Sequence, residues 1–192
     1  MPQTRLATSP ENLAAALAKL SLQSPSDSHP VAVLCPGAEY GPAKRWPAEY
    51  FAVLATKLRD AGFSTWILGA ESDRPAAQAI LDTRPGCAID LCGKTDLTSA
   101  IDLIGAAQVV ISNDSGLMHI AAALHRPLVA LFGSSSPQHT PPRSAEARVQ
   151  YLAVDCSPCI ERVCPLGHFR CMRELTPERI FGEALAAAGR SG

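Results

Sequence analysis

Five short segments carry residues whose types and spacing suit the holding of a phosphorylated ligand. The first is Pro36-Gly37-Ala38-Glu39-Tyr40-Gly41-Pro42-Ala43-Lys44-Arg45-Trp46-Pro47. Its glycines let the backbone approach a ligand closely. Lys44 and Arg45 bring positive charge to a helix start that already favours anions. An ordinary turn with solvated cations is the plain alternative, and the convergence of glycine, cation and tryptophan favours the ligand. The segment is neither a Walker A loop nor GxGxxG. The second is Ser112-Asn113-Asp114-Ser115-Gly116-Leu117-Met118-His119. It opens an apolar strand straight into a helix, which frees the amides of Ser115 and Gly116 to meet a pyrophosphate. Asp114 reads equally as a helix N-cap. His119, one turn past Ser115 on the same side, reads as a ligand contact or as a packed histidine.

Three weaker segments stand at other strand ends. Gly69-Ala70-Glu71 puts a carboxylate where ribose hydroxyls are often bound, though a solvated Glu at a helix start fits as well. Leu91-Cys92-Gly93-Lys94-Thr95 offers backbone groups to a base or sugar, and Gly133-Ser134-Ser135-Ser136-Pro137 offers hydroxyls and amides. No Ser/His/Asp or Cys/His set is spaced for nucleophilic catalysis, and no carboxylate pair suggests glycoside hydrolysis. The residues describe an anion and nucleotide seat, not a complete catalytic machine.

Seven cysteines are an odd number, against a fully paired secreted scaffold. Cys35, Cys87 and Cys92 stand singly in apolar surroundings. Cys156-x₂-Cys159-x₄-Cys164-x₆-Cys171, with His168 between, crowds four thiols near the C-terminal end. Structural zinc or another thiolate-bound metal is one reading. Reduced thiols or a single disulfide are the others and are favoured; a catalytic role ranks last.

The elements that must position these residues alternate. A helix over 10–22, capped by Ser9 with Pro10 in its first turn, and a polar linker over 24–30 form a lead-in rather than a core. Strands are expected at 31–35, 63–68, 88–91, 108–112 and 127–132, with an edge strand at 150–154. Helices are expected at 47–61, 72–83, 96–105 (capped by Thr95 or Asp96), 115–124 and 177–188. Such alternation gives βαβ units, hence an α/β fold with a doubly wound, Rossmann-like parallel sheet. In such a sheet, ligands bind beyond the carboxyl ends of the strands, where all five segments fall.

The 192 residues suit one domain, at 47% hydrophobic and 18% charged. Seventeen basic against 18 acidic residues leave a net charge of −1, which argues against a nucleic-acid partner. No apolar run is long enough to span a bilayer, and the opening MPQTRLATSPEN lacks the apolar core of a signal peptide. A cytoplasmic location is the expectation.

The motifs PGAEYGPAKRWP, LGAES, LCGKTDL and above all ISNDSGLMHIAAAL-x₃-LVALFGSSSP resemble the ADP-heptose:lipopolysaccharide heptosyltransferases, in particular their type II branch. The likeness runs from about residue 30 to the C-terminus. It implies one half of a GT-B glycosyltransferase, in which two Rossmann-like domains face a cleft and the sugar is transferred with inversion. Residues 1–29 are then the lead-in, and 30–192 the nucleotide-sugar (donor) domain with a Cys-rich segment at 156–171. By the same resemblance Lys44 contacts the donor phosphates, Glu71 the adenosine ribose and Thr95 the adenine region. Asp114, Ser115 and Gly116 surround the pyrophosphate and heptose, with His119 near them; Gly37, Arg45 and Gly133 are supporting residues. ADP-heptose is the donor, no cofactor is required, and zinc is not favoured. The lipopolysaccharide inner core is the acceptor, met through an N-terminal domain that also supplies the aspartate base, with peripheral contact to the inner membrane. No residue of this chain takes the base's role, so the chain alone is expected to bind ADP or ADP-heptose weakly and to transfer nothing. Two alternatives stay open: a transferase for another nucleotide sugar, and a non-catalytic nucleotide- or metal-binding module.

Overall fold

A computed structural model describes residues 5–190. Val31–Cys35 (β1) is apolar and buried throughout, the pattern of a strand covered on both faces. Val109–Asn113 (β4) and Leu128–Phe132 (β5) are likewise fully buried. Ser64–Ile67 (β2), the two-residue Ile89–Asp90 (β3) and Ala147–Tyr151 (β6) complete one sheet. All pairings are parallel, in the order β3-β2-β1-β4-β5-β6. This is the doubly wound arrangement expected from the sequence.

The helices are Pro10–Lys19 (α1), Ala48–Asp60 (α2), Arg74–Thr83 (α3), Leu97–Ala106 (α4), Gly116–Ala123 (α5), the short Arg170–Arg173 (α6) and Pro177–Ala187 (α7). Local chemistry sets their starts. Ser9 Oγ accepts from the Asn12 amide at 3.2 Å, Asp96 Oδ1 from Ser99 at 2.7 Å and Thr176 Oγ1 from Arg179 at 3.4 Å. Alternate residues of β1, β2, β4 and β5 feed two cores. Leu34, Ile67, Ile111 and Leu131 pack with Phe51, Leu54 and Leu58 of α2, Ile80 of α3 and Ile180 of α7. Val33, Trp66, Val110 and Ala130 pack with Leu17 of α1, Leu103 of α4 and Met118 of α5. Truncating a fully buried anchor such as Phe51 to Ala should cost about 3–5 kcal/mol.

Several expectations shift. The edge strand lies at Ala147–Tyr151 rather than 150–154, because Ala153 takes a left-handed φ of 49° and breaks the extended chain, so Leu152 and Val154 turn inward onto the core. The helix expected from residue 72 begins as a 3₁₀ turn, Glu71–Asp73, before α3. Helix α1 stops at Lys19, three residues before the expected end, where Ser21 turns to φ 54°. The lead-in before β1 packs on the domain: Leu17 is buried beside α4, and the Ser9 amide donates to Asp102 Oδ1 at 2.7 Å. Helix α6 had no counterpart in the sequence reading. Among the described residues no helix is long and apolar enough to cross a membrane.

Candidate functional site

The strand order reverses between β1 and β4, so the loops leaving these two strands diverge and open a crevice at their carboxyl ends. The loop after β1 is tied down at both ends. Asn113, the last residue of β4, accepts from the Trp46 amide at 3.1 Å and donates through Nδ2 to the Pro36 carbonyl at 2.7 Å. Trp46 in turn donates from its indole to Leu175 O at 2.7 Å and stands edge-on to Phe51, centroids 4.8 Å apart. A 3₁₀ turn at Pro42–Lys44 then carries Lys44 back over the crevice. Its Nζ donates to Asp114 Oδ2 at 2.6 Å, with the lysine side chain 15% exposed and the aspartate 4%. Thr140 Oγ1 donates to the same oxygen at 3.3 Å, and Lys44 also lies 5.1 Å from the centre of the Tyr40 ring.

Asp114 is therefore not the α5 N-cap. Ser115 occupies that position in extended geometry, φ −148°, and its side chain caps nothing. The first amides of α5 are left for an outside acceptor. Open space lies above Gly116, where an added Cβ would touch nothing. Ser115 and Gly116 border a cavity of about 410 Å³ that runs to Gly37, Gly69, Asp73 and Thr95. The cavity thus joins the ends of β1, β2 and β4 to the start of α4. Gly37 has a specific reason to be glycine: a Cβ there would collide with the Asp73 carboxylate.

The residues singled out from sequence divide. Gly37, Thr95, Ser115 and Gly116 line this cavity, and Lys44 with Asp114 stands at the crevice between β1 and β4. Glu71 does not line it. Its carboxylate is on the rim, 69% exposed, paired with Arg74 at 2.9 Å and close over Gly93. His119 faces a second cavity of about 370 Å³ with His139, Thr140 and Arg143, and Thr140 links that cavity to Asp114. Arg45 turns away, bordering a third cavity beside Trp46 and Phe169 and donating to the Ala38 carbonyl at 3.2 Å. Gly133 lies against Met172 and Cys171 instead of opening on the crevice.

Three positions were missed. Asp73 lines the main cavity together with Glu39 and Asp96, its Oδ2 accepting from the Ala70 amide at 3.0 Å. Its only signal was a second carboxylate two residues past Glu71. Asn113 and Thr140 position the charged pair and carried no signal of their own. The cavity holds no thiol nucleophile: burial pushes Cys35 far above the ordinary thiol value, and burial followed by the charge of Asp90 pushes neighbouring Cys92 up to about 12. Among the described residues no three His, Cys, Asp or Glu groups are gathered as a ready-made metal sphere. The geometry can hold an anion: a cation at one crevice, an uncapped helix start beside it, and an adjoining cavity of about 410 Å³.

Residues 1–170 match the family described as glycosyltransferase family 9 (heptosyltransferase). Lipopolysaccharide heptosyltransferase 2 of Escherichia coli is 42% identical over 163 residues, 82% of this chain and 47% of the relative. Lipooligosaccharide heptosyltransferase 2 of Haemophilus ducreyi is 39% identical over 189 residues, 93% of this chain and 53% of the relative. Among solved structures, E. coli ADP-heptose lps heptosyltransferase II superposes with a TM-score of 0.84 at 38% identity, over 98% of this chain and 55% of that one. The chain thus spans about half the length of the curated relatives it matches. Sequence and fold agree that this chain belongs to glycosyltransferase family 9, the heptosyltransferases.

Proposed function

We propose that this chain is the donor-binding half of an inverting heptosyltransferase, which moves heptose from ADP-heptose to the inner core of lipopolysaccharide. The observation that carries the reading is the Lys44–Asp114 pair set beside the uncapped start of α5, where the strand order reverses. In this reading the pyrophosphate meets the amides of Ser115 and Gly116, and Lys44 holds the oxygen that departs from the sugar. The adenosine runs toward Gly37, Asp73 and Thr95, with its ribose reaching Glu71 at the rim. The heptose lies toward Asp114 and His119.

The chemistry is a direct displacement. A hydroxyl of the acceptor attacks the anomeric carbon from the face opposite ADP, the bond from that carbon to the phosphate oxygen breaks, and its electron pair leaves with ADP. The hydroxyl proton goes to a carboxylate supplied by the other half of the enzyme. The Lys44 ammonium and the α5 amides stabilise charge as it develops on the leaving phosphate, which is where fixed donors lower a barrier most. The complete enzyme works at the cytoplasmic face of the inner membrane, in peripheral contact with the lipid that carries its acceptor. That the relatives are named as heptosyltransferases supports heptose over other sugars.

Equilibrium dialysis of the 192-residue protein with ADP and ADP-heptose tests the reading. ADP-heptose should bind more tightly than ADP, and His119→Ala should erase that difference. Equal affinity in the parent protein overturns the heptose assignment. Transfer to a lipopolysaccharide acceptor by this chain alone overturns the placement of the base.

A further inference from the structure

Cys156, Cys159, Cys164 and Cys171 all line one small, partly open void between the loop after β5 and the loop after β1. The sequence favours reduced thiols here, and none of the four is in a disulfide; the void between them is what calls for an occupant. Its free volume is about 20 Å³, room for one atom-sized occupant and little more. A further observation points to an occupant. Ser134 borders the void at 1% exposure, and its Oγ is buried with no hydrogen-bond partner. A water would find thiols as poor partners, whereas a soft cation would find four matched ligands.

We propose that these four cysteines bind one thiophilic metal ion, zinc or iron, in a closed tetrahedral site. Binding draws the sulfurs in from their present spread to about 2.3 Å from the ion and releases up to four thiol protons. Ser134 donates its hydroxyl hydrogen to a coordinating sulfur. His168 also borders the void, but the Arg170 amide occupies its Nδ1 at 3.1 Å, and it takes no place in the sphere.

The ion acts on the donor site through one connection. Within the cysteine segment, Ile160 O accepts from the Tyr40 hydroxyl at 2.8 Å, Arg162 Nε donates to Tyr40 O at 2.7 Å, and Arg162 O accepts from the Ala43 amide at 3.1 Å. Ala43 also borders the void. The metal site therefore braces the turn that carries Lys44.

Elemental analysis of untagged protein, purified under reducing conditions and supplied with zinc, should find about one bound ion per chain. Cys159→Ser should lose it with an unchanged circular-dichroism spectrum, His168→Ala should keep it, and Ser134→Ala should weaken it about 10- to 100-fold. Alkylation of the parent protein gives a readout that needs no variant. Cys156, Cys159, Cys164 and Cys171 should be protected until a chelator is added, while Cys35, Cys87 and Cys92 stay unreactive throughout. Iron in place of zinc supports the site. No ion after reconstitution, or four thiols that react alike with and without chelator, overturns it.

Discussion

Lys44 and Asp114, 70 positions apart in the chain, meet at 2.6 Å across the crevice between β1 and β4. The pair fixes where the loop after β1 closes on the sheet, and it commits one of the three ammonium donors to the protein, leaving the others for the phosphate of the proposed donor. Positioning and binding can be separated experimentally because they depend on different halves of the pair.

Lys44→Met alone strands a carboxylate that is 4% exposed, which should lower stability by about 3 kcal/mol in urea titration. Adding Asp114→Asn should restore most of that stability while ADP affinity stays low. Recovery of ADP affinity in the double variant would show that Lys44 acts only structurally.

Asn113 holds the loop from beneath with two buried hydrogen bonds. Asn113→Ala should cost about 2–3 kcal/mol and weaken ADP binding, although the side chain does not border the main cavity. A variant that binds ADP like the parent at a temperature where both are folded would remove Asn113 from the positioning of Lys44.

Two glycines give opposite outcomes for the same substitution. Gly37→Ala drives a methyl group against the Asp73 carboxylate on the cavity wall, so both stability and ADP affinity should fall. Gly182→Ala, on the exposed side of α7 with nothing near its added Cβ, should stabilise by about 0.5–1 kcal/mol and leave binding unchanged. Equal responses at the two sites would contradict the close approach at Gly37.

The Ser99 amide bonded to Asp96 holds that carboxyl below the usual carboxylate range. A pKa lowered by folding adds stability above the unfolded value, and the increment is lost as pH falls through the folded value. Asp96→Asn keeps the cap without its titration. Urea midpoints of parent and variant should therefore converge between about pH 6 and about pH 2. A gap that widens on acidification would reverse the sign of the argument.

The sheet was legible because Val31–Cys35 and Leu128–Phe132 are apolar at every position, a signal that depends on no distant partner. The positions of residues at strand ends were legible for the same reason: Lys44, Ser115 and Gly116 follow their own strands. What stayed hidden depends on contacts between distant segments. Glu71 and Asp73 share one short turn, and only the approach of Gly37 from β1 decides that Asp73 faces the cavity while Glu71 pairs with Arg74 outside it. Asp114 had an equally good local role as a helix cap, and the lysine that claims it comes from another loop. Arg45 follows Lys44 directly, yet the 3₁₀ turn ends between them and sends it to the opposite side. The edge strand slipped because a single left-handed residue, Ala153, outweighs an apolar run that otherwise reads as extended chain.

Calorimetric titration of the 192-residue protein with ADP, UDP and GDP tests the central claim most directly. A donor half built around ADP-heptose predicts saturable binding of ADP at one site, at least about 10-fold tighter than UDP or GDP, a difference of about 1.4 kcal/mol. Lys44→Met should abolish most of it. Equal binding of all three nucleotides, or none, would contradict the assignment of this crevice as the donor site.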